Sequence, residues 1–357
     1  MSGEHCCLYR VDGATVPTNR DDGKIGIRDV AKRAGVSLGT VSNVLNRPDY
    51  VSEKNLKKVR AAMDSLGFIP SGAAGQLRSG KSGLIGAIVP DVGNPYWASV
   101  LLGIEQVCDE HHMRMIVSST RQSREKEKEA LRMLMHQGVD GLIIAPINVR
   151  CEELTAFRSR LGIVSIGETP MTRYVGSNGL EGMFLATRKL LELGHRHIAL
   201  INGKDFVSWC MARKVGVEKA LREFGCDPSV YLHEYVVDDM TTHEGYMMAN
   251  RIFSDGKAEG SENITAVICA NDVLALGVML SCKEHAVSIP EDLSVIGYDD
   301  VDFAPALSPS LTTVHQESYE IGKSAAMLLI TGESAVDDRH LSEVRLVVRQ
   351  SIGPVPS

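Results

Sequence analysis

The stretch that decides the fold is Ile27–Val51, IRDVAKRAGVSLGTVSNVLNRPDYV. Its first part repeats apolar residues at helical spacing and ends at Gly35, a residue type that readily adopts the left-handed backbone of a helix end. Ser37 then stands where a helix N-cap is expected, and a second apolar run follows it. The pattern predicts two short helices joined by a tight turn. This is the plan of a helix-turn-helix, although an ordinary helical hairpin has the same pattern.

Charge is distributed unevenly along the 357 residues, whose number predicts two or three domains. Residues 24–81 contain eleven Lys and Arg against four Asp and Glu, a net charge of +7. The whole chain has a net charge of −7, so the remaining residues together carry −14. A basic unit attached to an acidic body indicates a nucleic-acid-binding surface confined to one end of the chain.

Cysteine usage and hydropathy indicate the cellular compartment of the protein. The eight cysteines are dispersed and lack the paired spacing of metal-binding or redox motifs, so we expect reduced thiols and no metal or other cofactor. The first residues have no apolar segment typical of a secretion signal, and no run approaches the 18 apolar residues of a membrane span. These features predict a cytoplasmic protein without membrane contact.

Beyond a third predicted helix at 52–66, the pattern changes to alternating strands and helices. Buried-strand patterns occur at 84–90, 113–119, 141–147 and 162–168, and again at 197–203, 231–237, 266–272 and 293–299. Amphipathic helical segments separate them, which favours parallel sheets covered on both faces. We therefore predict an α/β fold with an N-terminal all-α helix-turn-helix domain and a two-lobed core of parallel sheets.

Several predicted strands end in residues suited to binding a small molecule. Strand 84–90 runs into DVGNPYW at 91–97, strand 266–272 ends in Asn271 and Asp272, and strand 293–299 precedes Asp300. Ligands of such folds bind at the carboxyl ends of the strands. Carboxylates, amides and aromatic rings suit a sugar, with polar groups for its hydroxyls and flat faces for its CH surface. Asp272 and Asp300 are equally consistent with helix caps and turns.

Signals for an enzyme are weak. Residues 75–82, GQLRSGKS, satisfy the phosphate-loop pattern, but that loop requires a strand before it and a helix after it, whereas here a predicted strand follows. His195 and His197 alternate before a predicted strand, without a cysteine or carboxylate at ligand spacing. We expect neither a nucleotide site nor a metal site, and a P-loop NTPase is retained only as an alternative.

Ordered matches over residues 25–352 resemble the lactose-repressor (LacI/GalR) family of bacterial transcription regulators. They include IRDVAKRAGVSLGTVSNVLN at 27–46, GFIP at 67–70, IGAIVPDVGNPYW at 85–97, CANDVLALG at 269–277 and IPEDLSVIGYDD at 289–300. The resemblance implies a helix-turn-helix domain, a hinge helix and a periplasmic-binding-protein-like core. It implies these boundaries: 1–24, a flexible extension; 25–70, the DNA-binding domain; 71–82, the hinge helix and linker; 83–357, the effector-binding and dimerisation core.

The resemblance also assigns DNA-binding residues position by position. Leu38, Gly39 and Asn43 match the base-reading positions, where Asn43 could contact adenine through two hydrogen bonds. The hinge helix matches residues 74–78, with Leu77 at the position that wedges into a minor-groove step and kinks the duplex. The full expected DNA-binding set is Ser37, Leu38, Gly39, Thr40, Ser42, Asn43, Asn46, Tyr50, Ala74, Leu77 and Arg78.

In the core, the resemblance implies an effector cleft between the two lobes. Tyr96 and Trp97 match its aromatic pair, Arg213 matches an arginine that binds a ligand oxygen, and Asn271 and Asp299 match polar groups of the second lobe. The full expected effector-binding set is Tyr96, Trp97, Trp209, Arg213, Met240, Asn271, Asp299 and Gln316.

The function implied is that of a ligand-responsive regulator, most often a repressor, and not an enzyme. Its partners would be a near-palindromic double-stranded operator, a small-molecule effector and a second copy of the chain in a homodimer, with a tetramer as the alternative. A sugar is the first candidate effector and a nucleobase or nucleoside the second. A free solute-binding protein built on the same core is an alternative of another class, disfavoured by the basic N-terminal unit.

Overall fold

The computed structural model describes residues 25–68, 81–147, 152–158, 161–255, 264–332 and 339–356. The chain divides after residue 80 into two compact units. Among the described residues, no helix combines the length and apolar character needed to cross a bilayer. The finer boundaries expected at residues 24, 70 and 82 stay predictions.

Residues 25–68 of the first unit contain three α-helices, α1 (Ile27–Ala34), α2 (Leu38–Asn46) and α3 (Glu53–Leu66). Gly35 ends α1 with a φ of 66°, as the tight turn requires. The apolar stripes of the three helices meet in one small core. Its most deeply buried side chains are those of Val30, Val41 and Val59.

The second unit contains two six-stranded sheets, each the centre of one lobe. The first has the order β11-β5-β4-β3-β1-β2 and the second the order β12-β10-β9-β8-β6-β7. Neighbouring strands are parallel except for the β10–β12 pair. The strands of the first sheet are β1 (Leu84–Val89), β2 (Arg114–Ser119), β3 (Gly141–Ile144), β4 (Gly162–Ile166), β5 (Arg173–Ser177) and β11 (Arg339–Ser342). Those of the second are β6 (Ile198–Asn202), β7 (Leu232–Val236), β8 (Ala266–Cys269), β9 (Ser294–Asp299), β10 (Thr312–His315) and β12 (Arg345–Val347).

Helices cover the sheets and bury their apolar faces. The first lobe carries α4 (Pro95–Glu110), α5 (Arg124–His136), α6 (Glu152–Arg158) and α12 (Ser318–Ile330). The second lobe carries α7 (Gly179–Glu192), α8 (Ser208–Glu223), α9 (Pro228–Tyr231), α10 (Thr242–Asp255) and α11 (Asp272–Glu284). Large apolar clusters fill the space between helices and sheets in both lobes. The predicted fold class is therefore confirmed.

The chain passes between the lobes three times, and these passages define a hinge edge. They follow β5, β10 and β11, at 177–179, 315–318 and 342–345. All of these strands lie at or beside one edge of their sheets, together with β12, whereas β2 and β7 form the opposite edges. The polypeptide chain thus connects the two lobes along one side of the cleft between them, and no described segment passes between them along the other.

The sequence patterns did not predict β5, β10, β11, β12, α7 or α12. The strands among them have only three to five residues and carry polar side chains, as in TTVH for β10 and RYVGS for β5. Such segments lack the long apolar run that identified the inner strands. Several predicted strands also extended too far. β8 ends at Cys269 because Asn271 already caps α11.

Candidate functional site

A cavity of about 460 Å³ lies between the two lobes. Residues from the carboxyl ends of strands in both lobes and from the inter-lobe passages form its wall. All eight expected effector-binding residues line it: Tyr96, Trp97, Trp209, Arg213, Met240, Asn271, Asp299 and Gln316. The structure therefore brings together side chains that are more than 200 positions apart in sequence.

Local helix geometry fixes the aromatic part of the wall. The Asn94 side chain caps α4 by accepting a hydrogen bond of 2.9 Å from the Tyr96 backbone N–H, and Pro95 occupies the first helical turn. Tyr96 and Trp97 therefore project from a rigid helix start. Their ring centroids lie 5.0 Å apart, and Trp97 is 6.3 Å from Trp209 of the other lobe. Three aromatic rings thus form one cluster that spans the cleft.

A polar cluster completes the wall. Gln316 Nε2 donates a hydrogen bond of 2.6 Å to Asp299 Oδ1, and Arg213 Nη2 lies 3.8 Å from the same oxygen. The Arg213 guanidinium also lies over the Tyr298 ring, 4.2 Å from its centroid. The Ser177 hydroxyl bonds to Gln316, which joins an inter-lobe passage to this cluster. Fixed donors and acceptors of this kind orient a polar ligand.

Asp299 is held in an unusual state. It ends β9 with a φ of 115°, a left-handed backbone value that non-glycine residues seldom adopt. Burial raises the pKa of its carboxyl well above the usual value, while the Arg213 guanidinium opposes that shift. Strained, buried carboxyls are frequent at binding sites, and the position of Asp299 in the cavity wall favours that role for it.

Some cavity residues outside the expected set come from segments that the patterns did not identify. Ser177 ends β5, Asn178 lies in the first passage, and Leu341 lies in β11. None of these three segments was predicted. The Ser208 hydroxyl and Arg213 Nε are buried and have no hydrogen-bond partner among the described residues. Asn94 also lines the cavity, and its position directly before a proline is a helix-start signal that could have identified it.

The two carboxylates left open by the sequence have structural partners. Asp272 is fully buried and accepts hydrogen bonds from the Thr313 hydroxyl and the Val301 backbone N–H, at 2.6 and 2.9 Å. Asp300 forms an ion pair of 2.6 Å with Arg349. These contacts join neighbouring segments of the second lobe, so the structural interpretation of both residues is the better one.

His195 is also a structural residue. Its ring nitrogens lie 2.8 Å from the Thr265 hydroxyl and 3.0 Å from the Gly353 carbonyl oxygen, inside the second lobe. Burial lowers the pKa of this imidazole. Within the described parts of the chain, no three His, Cys, Asp or Glu side chains form a group that could hold a metal ion.

In the first unit, α2 presents most of the expected DNA-binding side chains to solvent. Leu38 is 45% exposed, and Tyr50, on the turn after α2, is 85% exposed, so both side chains are accessible to a partner. The Ser37 hydroxyl caps α2 by accepting a hydrogen bond of 3.1 Å from the Thr40 N–H. Gly39, Asn43 and Asn46 are exposed, and Thr40 and Ser42 are partly buried. Ala74, Leu77 and Arg78 lie outside the described residues.

The surface of this unit is strongly basic. Its exposed cations occur on α1, on α3 and on the turn after α2: Arg28, Lys32, Arg33, Arg47, Lys54, Lys57, Lys58 and Arg60. A small helical unit with this charge is suited to the phosphate backbone of DNA.

Comparisons with known proteins agree with these two sites. Residues 26–71 match the sequence profile described as bacterial regulatory proteins of the lacI family, and residues 187–352 match that of the periplasmic binding protein-like domain. A transcriptional repressor named PurR from Photobacterium profundum is 34% identical over 91% of this chain and 98% of its own length. Another PurR, from Vibrio atlanticus, is 35% identical over 85% of this chain and 90% of its own.

Solved structures give the same result. The lac repressor dimer bound to operator and the anti-inducer ONPF has a TM-score of 0.74 and 29% identity, covering 92% of this chain and 98% of that chain. A LacI-family regulator from Enterococcus faecium with bound ribose has a TM-score of 0.67 and 28% identity, covering 76% and 99%. These proteins are regulators rather than enzymes. The chain belongs to the LacI family of bacterial regulatory proteins and is a DNA-binding transcriptional repressor of that family.

Proposed function

We propose that the inter-lobe cavity binds a nucleobase or nucleoside, and that this ligand changes the affinity of the helix-turn-helix unit for its operator. The observation that carries the proposal is the division of the cavity wall into an aromatic cluster and a polar cluster. Tyr96, Trp97 and Trp209 form the first, and Arg213, Asp299 and Gln316 form the second.

A nucleobase has aromatic faces and polar edges, and this division matches the two clusters of the wall. Its ring can stack on or pack edge-on against the three aromatic side chains, and its nitrogen and oxygen atoms can bond to the arginine, carboxyl and amide. A sugar instead has hydroxyl groups around its whole ring. Its CH faces can also pack on aromatic rings, which makes a sugar the second candidate for this cavity.

The comparisons offer support for both candidate classes. The relatives from Photobacterium profundum and Vibrio atlanticus carry the name PurR, which agrees with a purine-type effector. Sugars remain the second candidate, because neighbouring structures contain ribose and cellobiose at 28% and 26% identity. The nucleobase class is preferred because those relatives are more similar to this chain and because the wall is strongly aromatic.

For DNA, the proposal assigns base reading to Leu38, Gly39 and Asn43 at the exposed start and face of α2. Thr40, Ser42, Asn46 and Tyr50 contact phosphates together with the basic residues of the same unit. Ala74, Leu77 and Arg78, which lie outside the described residues, would contact the minor groove, with Leu77 as the inserted side chain. A homodimer presents two such units to a near-palindromic operator.

Coupling between the sites follows from binding to two states. An effector that binds the closed arrangement of the lobes better than an open one shifts the chain towards closure. A tenfold change in operator affinity requires about 1.4 kcal/mol of differential binding between the states. Because linkage is reciprocal, operator DNA must change effector affinity by the same factor.

A thermal-shift panel tests the proposed ligand class. We expect hypoxanthine, guanine, adenine or their nucleosides to raise the unfolding midpoint, whereas ribose and hexoses leave it unchanged. Asp299→Ala should lower the affinity of the active compound by about 10- to 100-fold, because a buried polar contact to the ligand is lost. A gel-shift titration with operator DNA then shows whether the ligand tightens or releases the complex.

Leu102→Ala is the matched control, since Leu102 is exposed on α4 and does not line the cavity. A midpoint raised by a sugar and by none of the bases would reject the nucleobase proposal. Ligand binding that is equally strong in Asp299→Ala would remove Asp299 from the site.

A further inference from the structure

A second set of contacts joins the lobes at the edge of the cleft opposite the hinge. Residues 120–124 of the first lobe, here called the latch segment, leave β2 and lead into α5. The loops that follow β6 and β7 face this segment from the second lobe. Together they line a cavity of about 360 Å³, separate in its lining residues from the effector cavity.

Three contacts from the latch segment cross the cleft. Arg121 forms an ion pair of 3.6 Å with Asp239, and the Arg124 guanidinium lies over the Phe206 ring at 3.9 Å from its centroid. Between them, the Gln122 side chain lies beside Gly203, where an added Cβ would be 3.6 Å from Gln122 Oε1, and this buried oxygen has no hydrogen-bond partner among the described residues. Gln122 is only 8% exposed, although it belongs to a surface loop.

The backbone of the latch segment is strained in a way that serves these contacts. Arg121 and Gln122 have φ values of 47° and 55°, and two successive non-glycine residues in the left-handed region are unfavourable. The Thr120 and Arg121 N–H groups donate hydrogen bonds of 3.0 and 2.7 Å to carbonyl groups at the end of β1. The strained turn is therefore anchored to the first lobe while its side chains reach the second.

The latch segment lies far from the hinge edge, so its contacts resist separation of the two lobes effectively. The inter-lobe passages lie at the β5–β11 and β10–β12 edges of the two sheets, whereas β2 and β7 are the opposite edges. Opening about the passages separates the β2 and β7 loops by the largest distance, so contacts at that edge resist opening most effectively. Gly203, beside which Gln122 lies, also borders the effector cavity wall, because an added Cβ on Gly203 would lie 2.7 Å from Met240 Cε.

We propose that the latch segment holds the two lobes closed over the effector cavity, through the Arg121–Asp239 ion pair and the Arg124–Phe206 stacking. Closure is thereby stabilised in part without effector. Closure also sets the rate at which the effector leaves, and this second statement rests on the proposed function of the cavity. The latch itself is tested in the ligand-free chain, so that the two proposals fail independently.

Cys210 is a native reporter of opening. Its side chain is fully buried in a small cluster with Val207 of its own lobe and Ile147 of the other lobe. Because Ile147 of the other lobe covers part of this cluster, we expect opening of the cleft to raise the alkylation rate of Cys210. Cys269 is buried within the core of the second lobe and reports global unfolding instead.

The experiment measures iodoacetamide alkylation of Cys210 and Cys269 in the ligand-free, full-length chain by peptide mass spectrometry. Arg121→Ala combined with Arg124→Ala should raise the Cys210 rate by about tenfold, since exposed ion pairs and cation–π contacts each contribute up to about fivefold. The Cys269 rate should stay unchanged. High salt should raise the Cys210 rate of the wild type and change that of the double variant less.

Adjacent carboxylates supply the matched control. Asp239 pairs with Arg121 across the cleft, whereas Asp238 pairs with Lys204 at 2.9 Å within the second lobe. Asp239→Asn should accelerate Cys210 alkylation, and Asp238→Asn should not. Equal effects of the two substitutions, or an unchanged Cys210 rate in the double variant, overturn the latch.

A charge exchange keeps the test decisive if the double variant loses stability. Should Cys269 alkylation accelerate as well, Arg121→Asp combined with Asp239→Arg is compared with Arg121→Asp alone. Recovery of the slow Cys210 rate in the exchanged pair supports the latch, and failure to recover it overturns the proposal.

Discussion

Asp272 is the first residue of α11, and it lies fully buried beside the effector cavity without lining it. Both of its carboxyl oxygens accept hydrogen bonds, yet burial outweighs them and raises the pKa of Asp272 to about 7. The usual carboxyl value in an unfolded chain is about 4. Between about pH 4 and pH 7, the folded state therefore holds a proton on Asp272 that the unfolded state has already released.

This difference predicts how stability depends on pH. Because the folded state binds the proton more tightly, the free energy of unfolding should fall as pH rises from about 4 to about 7, by at most about 1.4 kcal/mol per pH unit from this residue. Asp272→Asn should make the dependence shallower. The measurement is urea unfolding between pH 4.5 and pH 8, with Asp302→Asn, an exposed residue of the same region, as the control. Parallel curves for Asp272→Asn and wild type would contradict the prediction.

Residue identities in the cavity were predictable in part. The eight expected side chains follow recognisable motifs such as NPYW at 94–97 and IGYDD at 296–300, and the structure gathers all of them around one cavity. Their roles in binding stay predictions. Ser177 and Leu341 could not be found in this way, because they belong to short polar strands. The latch contacts were not predictable either, since no periodic pattern indicates that residues 121 and 239 meet.

At the scale of elements, the N-caps of α2 and α3 look alike in sequence but differ in the structure. Ser37 caps α2 through its hydroxyl, which accepts the Thr40 N–H. Ser52 occupies the equivalent position before α3, but its side chain forms no capping hydrogen bond. The third helix predicted at 52–66 therefore begins where it was expected, but without a side-chain cap. A serine before an apolar run indicates where a helix starts, not whether its side chain contributes.

The difference between the caps is measurable. Ser37→Ala should destabilise α2 by roughly 1 kcal/mol because a backbone N–H loses its partner. Amide hydrogen exchange in α2 should then accelerate by about fivefold. Ser52→Ala is the matched control, and exchange in α3 should change little. Equal protection losses in the two variants would show that the Ser37 cap is not the source of the effect.

Element boundaries show which physical signal the sequence carries. The inner strands β1, β3, β6 and β9 are nearly continuous apolar runs, because helices cover both faces of a parallel sheet, and each was predicted. The strands at the hinge edge are shorter and more polar, and tertiary contacts rather than local composition fix them. Their absence from the prediction left the three inter-lobe passages unidentified, although the two-lobed plan itself was correct.

At the scale of the whole molecule, the chain keeps its two activities in units of opposite charge. The residues from 24 to 81 carry a net charge of +7 and the remaining residues −14. An acidic core has little attraction for DNA, so the basic unit alone supplies the electrostatic part of operator binding. The core has its own apolar clusters in both lobes and does not depend on the first unit for a hydrophobic interior.

This division predicts the outcome of removing residues 1–80. The truncation keeps Ser82, whose N–H and hydroxyl bond to Asp140 at 2.8 and 3.1 Å and fix the start of β1. The shortened chain should remain folded and respond to nucleobases in the thermal-shift assay as the full chain does, because every described residue of the effector cavity lies beyond residue 81. It should lose DNA binding in a gel-shift assay at 50 mM and 200 mM salt alike. A truncated chain that still shifts operator DNA would place DNA-binding groups in the acidic core, and one that no longer responds to any ligand of the full chain would make the effector site depend on the first unit.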